Sequence, residues 1–193
     1  MAIKGIFFDN QTFNAKDFGA FASALGDCII GNYNCTINSN VLTIPNCYVI
    51  VGGRLFMFDS NYVINLAPSV GNGYGRVVVT IDLTKQSTES TFNQIAITTE
   101  YASSLTGFND LTKNDINLSG ATYQAALLYF KVTSSVCSIT DETRDISLPN
   151  LSDVTHLKHT YDTIRGGTMV LSPNNYGSTL PSSGVEGQIF FKI

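Results

Sequence analysis

Short runs of alternating apolar and polar residues, separated by turn residues, recur through most of the chain. In RVVVTIDL every second residue is apolar, which is the period of a β-strand with one buried face. This period and the flanking turns predict seven strands: Val41–Ile44, Tyr48–Val51, Arg54–Asp59, Tyr62–Leu66, Arg76–Leu83, Phe92–Thr99 and Tyr123–Val132. The inward set of the sixth would be Ile95 and Ile97. The sequence therefore predicts a mainly β protein with an antiparallel β-sandwich or barrel-like module.

The stretch YVIVGGRLFMFDS places two glycines between two apolar runs. No helix and no Lys-Ser or Lys-Thr pair follows Gly52 and Gly53, so a phosphate-binding loop is not indicated. Two central glycines are typical of a tight β-hairpin, whose turn residues need positive φ. Both faces of this hairpin are apolar. We therefore expect the core to cover one face, and a helix or another subunit to cover the other.

One helix is predicted before the strands, at about residues 14–25. Phe18, Phe21, Ala22 and Leu25 recur at the spacing of a single apolar helical stripe. Asn14 is a suitable N-cap, and Gly26 can end the helix.

After residue 147 the spacing of the apolar residues changes from that of a strand back to that of a helix. Residues 148–167 predict a helical linker with a narrow apolar seam: Val154, Leu157, Tyr161 and Ile164. Such a narrow seam on a short helix is better explained by packing against copies of itself or a neighbour, and packing on the chain's own sheet is the alternative. Residues 168–193 predict a small C-terminal β segment ending in the apolar strand Gln188–Ile193. Its partner strand would come from this chain or from another subunit.

Charge and hydropathy exclude two classes of partner. The net charge is −4, only 13% of residues are charged, and the lysines and arginines are scattered. No basic stripe is available for nucleic acid, so we expect none to bind. No stretch has the ~20 apolar residues of a membrane span. The apolar run before Asp9 is too short for a signal peptide, so we expect synthesis in the cytoplasm.

Residues suited to metal or cofactor chemistry are sparse. Cys28, Cys35, Cys47 and Cys137 form no C-x-x-C pair and lie far from both histidines, so no metal site is predicted. Buried free thiols are the expectation for the four cysteines, with a Cys28–Cys35 disulfide as the alternative. Asp153, His156 and His159 fit a solvated helix face better than an axial ion site in a trimer. No cofactor motif is present.

Catalytic motifs are also lacking. There is no Walker loop and no G-x-S-x-G elbow, and GNGYGR lacks the third glycine of a dinucleotide loop. Paired acids for glycoside hydrolysis stay open, because such acids can be far apart along the chain. Asp141 and Arg144, within ITDETRDI, predict a structural ion pair at the end of the β region. The expectation is a protein that is not an enzyme, with no catalytic residues.

Taken in order, these features resemble a family. The succession is NAKDFGAFASAL, VLTIPNCYVIVGGRLFMFDS, YGRVVVTIDLT, FNQIAITTEYA and YQAALLYFKVTSSVCSITDETRDI. It is similar to the peripheral baseplate and tail-fibre attachment proteins of tailed phages and phage-like tailocins, over residues 13–147. The matching positions are Gly52, Gly53, Arg76, Asp82, Tyr123, Leu127, Asp141 and Arg144. The family's long strand opens on R-x-D, but here the acid is missing after Arg76, which removes a local salt link.

The resemblance implies a structural role. It implies a baseplate module at residues 1–147, a virion location at the phage tail, and assembly as a homotrimer with other baseplate or tail proteins. The seam at Val154–Ile164 would then be a trimerisation helix. The alternative within the same setting is a receptor- or carbohydrate-binding module whose partner is a host cell-surface glycan.

Overall fold

The computed structural model describes residues 14–31, 33–88 and 92–151, and the backbone of 176–177 and 191–192. The chain divides into two compact units, Met1–Asp153 and Val154–Ile193. The fold is mainly β, with antiparallel sheets, one N-terminal helix and a sheet curled like half of a barrel. This confirms the predicted fold class for the region that carries most of the strands.

Three antiparallel sheets build the first unit, with strands labelled in chain order. The first sheet contains β1 (Cys28–Ile30), β4 (Cys47–Val51) and β5 (Arg54–Phe58), in the order β1-β4-β5. The second contains β2 (Thr36–Asn38), β3 (Val41–Ile44) and β6 (Tyr62–Asn65), in the order β2-β3-β6. The third has the order β10-β9-β7-β8 and contains β7 (Gly73–Asp82), β8 (Ile95–Ala102), β9 (Thr122–Thr133) and β10 (Val136–Ser138).

All seven predicted strands are present; β3 has the predicted bounds, and the other six have shifted ends. Strand β8 begins at Ile95 rather than at Phe92, because its pairing with β7 ends where Ile81 faces Ile95. The prediction missed β1, β2 and β10. Each has three residues, too few for a period of two to be recognised.

The three sheets share one hydrophobic core. Val49 and Val51 enter it from the first sheet, Leu42 and Ile44 from the second, and alternate residues of β7 and β9 from the third. Ile95 and Ile97 of β8 pack against this core, as predicted. Burial of these apolar side chains, at about 25 cal/mol per Å², is the main stabilising term of the fold.

Helix α1 (Ala15–Ala22) and the 3₁₀ turn Ser23–Leu25 confirm the predicted N-terminal helix. Asn14 caps it by accepting from the backbone of Lys16 and Asp17, and Asp17 completes a capping box. The helix does not bury the predicted stripe, however. Its buried residues are Gly19 and Ala22, whereas Phe18, Phe21 and Leu25 are exposed. Small residues face the sheet because the helix approaches the backbone closely.

At the end of the β region, ITDETRDI contains a short helix, α2 (Asp141–Arg144), capped by Thr140 and Thr143. In the second unit, β11 (Tyr176–Gly177) pairs in parallel with β12 (Phe191–Lys192), which lies within the predicted C-terminal strand. The predicted seam residues Val154, Leu157, Tyr161 and Ile164 lie outside the described residues.

Candidate functional site

The glycine pair forms the turn of the β4–β5 hairpin. Gly52 has φ 55° and Gly53 has φ 76°, and Val51 faces Arg54 directly across the turn. Both glycines are therefore in the left-handed region that a tight two-residue hairpin requires. The hairpin prediction is confirmed.

Helix α1 sits directly on this turn. A Cβ at Gly53 would collide with the backbone carbonyl oxygen of Gly19, and a Cβ at Gly19 would collide with the amide oxygen of Asn117. The Asn117 amide nitrogen donates to the Gly52 carbonyl oxygen at 3.0 Å. Arg54 donates from Nη1 to the Ala15 carbonyl oxygen at 2.7 Å. The helix covers the second face of the hairpin at its turn, as expected.

Farther from the turn the second face is open. Tyr48, Leu55 and Met57 are about half exposed, at 50%, 48% and 54%. Tyr48 and Met57 are register partners, and Leu55 lies two residues from Met57 on the same face. The rings of Phe18 and Phe21 on α1 are 6.5 Å apart and exposed. Phe18 and Leu55 also line one groove of about 350 Å³, with Phe92 and Ile95 on its far side.

We call Phe18, Phe21, Tyr48, Leu55 and Met57 the apolar surface. Isolated exposed apolar residues are normal, but contiguous groups on adjoining elements mark interaction sites. Phe21 belongs to the apolar stripe of the helix that the sequence predicts, but it is 64% exposed and faces outward. The expected cover by the hairpin's own helix is thus limited to the turn.

A cluster of three polar side chains lies beside the glycine turn. Asp27, between the 3₁₀ turn and β1, accepts from the Gly52 backbone N–H at 2.7 Å through Oδ1. Its Oδ2 accepts from Lys113 Nζ at 2.8 Å and from the Tyr123 hydroxyl at 2.8 Å. Lys113 Nζ also donates to the Tyr123 hydroxyl at 3.1 Å and lies 4.3 Å from its ring centroid.

Backbone pairing positions this cluster. Lys113 and Tyr123 form an isolated antiparallel bridge, and Gln124 donates its N–H to the Thr112 carbonyl oxygen at 2.7 Å. The Thr112 N–H donates to the Gln124 side chain in return. The loop before β9 is therefore held as a short extra strand, which fixes Lys113 over the tyrosine ring.

Hydrogen bonding sets the ionisation of the cluster. Burial lowers the pKa of Lys113, but its hydrogen bonds to Asp27 and Tyr123 outweigh burial and raise that pKa above its ordinary value. Burial raises the pKa of Tyr123; the bond from Lys113 opposes this shift and the bond to Asp27 adds to it. At neutral pH Lys113 is therefore an ammonium and Tyr123 a neutral phenol.

The cluster forms one wall of a cavity of about 270 Å³, which we call the polar cavity. Gly52, Gly53, Ile116, Asn117 and Tyr123 form its inner part. Its outer part consists of exposed residues: Ser23, Gly26, Lys113, Asn114 and Asp115. The sequence indicates Gly52 and Gly53 as a hairpin turn and as positions of the family pattern, and Tyr123 only as a position of that pattern. Asp27 and Lys113 were missed, because 86 residues separate them and no local motif joins them.

In the third sheet, the buried positive charge of Arg76 is paired with Glu100 on the neighbouring strand. Arg76 lacks the acid two residues on, but it faces Glu100 on β8 and donates from Nε to it at 2.8 Å. It also donates to the Asn109 carbonyl oxygen at 2.6 Å, and its guanidinium carbon lies 4.7 Å from the Phe108 ring centroid. The buried guanidinium of Arg76 is thus paired with an acid on the neighbouring strand.

The remaining predicted residues are placed as follows. Asp141 lies in the first turn of α2 and Arg144 in its last; their ion pair stays a prediction. The neighbouring Glu142 instead accepts from the Tyr74 hydroxyl at 2.9 Å and lies 3.7 Å from Lys131 Nζ. All four cysteines are buried and free, so the Cys28–Cys35 disulfide is not formed.

Two general features complete the description. Among residues 14–31, 33–88 and 92–151, no three His, Cys, Asp or Glu side chains come together as a metal site. Within that same part of the chain, no helix has the length and apolar character to cross a membrane.

In comparisons with known proteins, no family model matches the chain, and no curated protein is significantly similar to it.

Proposed function

We propose that this protein is a non-enzymatic structural component of a phage or phage-like tail that assembles as an oligomer. The observation that supports it most is the apolar surface, where five large side chains on α1 and the β4–β5 hairpin are left exposed. The core of protein–protein interfaces is rich in aromatic residues and methionine and poor in charge. Tyr48, Met57 and the two phenylalanines fit that composition.

The proposal commits to a homotrimer in which the apolar surface packs against other copies. The resemblance over residues 13–147 supports a baseplate or tail-fibre attachment role, with the trimer docking on other tail proteins. The low charge of the chain, 13%, reduces the desolvation cost of burying its surface in a permanent assembly.

The cluster of Asp27, Lys113 and Tyr123 does not favour an enzyme. Three of its hydrogen bonds satisfy Asp27, and the raised pKa values of Lys113 and Tyr123 keep both groups protonated at neutral pH, so neither can accept a proton there. A general base works best with a pKa near the working pH. We therefore assign these contacts to the stability of the helix–hairpin junction.

Virion membership is tested by the composition of purified tails. Peptides of this chain are expected in tail particles purified from the phage or tailocin whose gene cluster encodes it, at a constant ratio to the tail-tube protein. Neighbouring genes should encode tail-tube, tape-measure and baseplate proteins. Absence of the chain from intact particles would overturn the proposal.

A further inference from the structure

The polar cavity is of a size for one small molecule. Ligand sites for drug-sized molecules are roughly 300–1,000 Å³, and this cavity, at about 270 Å³, lies just below that range. Its inner part is fixed by the hairpin turn and by the bridge between Lys113 and Tyr123. The inner part of the cavity is therefore preformed, and the cavity has room for a single ring.

The residues of the outer part of the polar cavity can still both donate and accept hydrogen bonds. The Lys113 ammonium has three N–H donors, of which Asp27 and Tyr123 take two. Asp115 uses Oδ1 to accept from the Asn117 N–H at 2.9 Å, and a carboxylate has a second oxygen. The exposed amide of Asn114 supplies both a donor and an acceptor. A ligand that both donates and accepts is needed to use these groups together.

The charges of the cavity exclude ionic ligands. Asp27 and Asp115 give two carboxylates against one ammonium, so an anion is disfavoured. Lys113 already occupies Asp27 at 2.8 Å, so a metal cation would meet a fixed positive charge at the carboxylate it needs. A neutral molecule with several hydroxyl groups fits both conditions, because each hydroxyl is a donor and an acceptor.

We propose that the polar cavity binds one neutral monosaccharide ring, held by Lys113, Asn114 and Asp115. The ring of Tyr123 does not offer stacking, because Lys113 lies over it and Gly52 approaches it so closely that an added Cβ would collide with Cγ and Cδ1. Binding therefore depends on hydrogen bonds at a partly open site, and we expect a Kd of about 1 mM for a single ring. This site is separate from the apolar surface, so it does not depend on the proposed assembly.

The test uses saturation-transfer NMR on the full chain with D-glucose, D-galactose and N-acetyl-D-glucosamine as probes. The test variant is Asn114→Ala combined with Asp115→Asn, which keeps an oxygen to accept from the Asn117 N–H. The matched control is Asp110→Asn, an exposed acid in the same loop that does not line the cavity. Circular dichroism checks that all three proteins are folded.

The expected result is binding of at least one probe, weakened about tenfold or more in the double variant and unchanged in Asp110→Asn. Inorganic phosphate, added as a competitor, should not displace the sugar. The proposal is overturned if none of the three sugars binds, if the double variant binds as well as the natural chain, or if phosphate competes.

Discussion

At the scale of single residues, the glycine turn carries the strictest requirement in the fold. Gly53 needs a positive φ and also the absence of a side chain, because the carbonyl oxygen of Gly19 occupies the position of a Cβ. The sequence indicates the first requirement, since two glycines between apolar runs predict a hairpin. It does not indicate the second, which arises from a helix more than thirty positions away.

Gly53→Ala should therefore lower the free energy of unfolding by at least about 2 kcal/mol, since left-handed strain adds to a backbone collision. Gly71→Ala is the control, because a Cβ there meets nothing within 4 Å, and its effect should stay within about 0.5 kcal/mol. Urea unfolding followed by circular dichroism measures both. Equal stabilities for the two variants would contradict the account of the junction.

Cys35 should make stability depend on pH. Burial raises the pKa of its thiol from 9.0 to about 12, with Tyr33 opposing and Cys47 adding to the shift. An unfolded thiol loses its proton near pH 8.5, whereas the folded one keeps it. The Cys35 thiol thus makes its full contribution to the free energy of unfolding below pH 8.5. That contribution is lost progressively as pH rises toward 12, at up to about 1.4 kcal/mol per pH unit.

Urea unfolding under reducing conditions at pH 8, 9 and 10 checks this. The first two pH values lie below the ordinary pKa values of tyrosine and lysine, and at pH 10, where tyrosine titrates as well, all three proteins share that contribution. Cys35→Ala should show a shallower loss of stability with pH than the natural chain. Thr36→Ala, an exposed neighbour without a titratable group, should keep the natural slope. Equal slopes of stability against pH for all three proteins would show that Cys35 does not cause the pH dependence.

At the scale of elements, Arg76 connects three parts of the structure. It joins β7 to β8 through Glu100, and it holds the following loop through Asn109 and the ring of Phe108. Arg76 is only 5% exposed, whereas Glu100 is 40% exposed. The arginine is therefore the member whose loss removes packing as well as charge.

Arg76→Ala should lower the free energy of unfolding by about 2–4 kcal/mol, because it breaks a mostly buried ion pair and opens a void beside Phe108. Lys131→Ala removes an exposed partner of Glu142 at 3.7 Å and should change stability by no more than about 0.5 kcal/mol. Thermal and urea unfolding compare the two. If Lys131→Ala lost more stability than Arg76→Ala, the Arg76–Glu100 pair would not be the more stabilising of the two.

Strands of four or more residues are predictable here because their alternation is local. The three-residue strands β1, β2 and β10 are not, since their pairing with β4, β3 and β9 supplies the order that their own sequence lacks. The same reason applies to the polar cavity, whose walls come from the α1–β1 connection, the hairpin and the loop before β9. Only tertiary packing brings these segments together.

At the scale of the whole molecule, the first unit buries one core between three sheets and leaves the apolar surface outside it. The sequence predicted that the β4–β5 hairpin needs cover on both faces. The structure supplies that cover near the turn, through α1 and its small residues Gly19 and Ala22. The exposed remainder is the physical reason for expecting contact with further copies.

The most direct measurement of that expectation is the mass of the full chain in solution, by sedimentation equilibrium over a wide concentration range. The account predicts three times the 20.9 kDa chain mass at all but the lowest concentrations. Phe21→Ser combined with Leu55→Ser should shift the mass toward the monomer, whereas Val136→Ser, an exposed residue on β10, should not. A natural chain that stays monomeric at the highest concentration would contradict the assembly role.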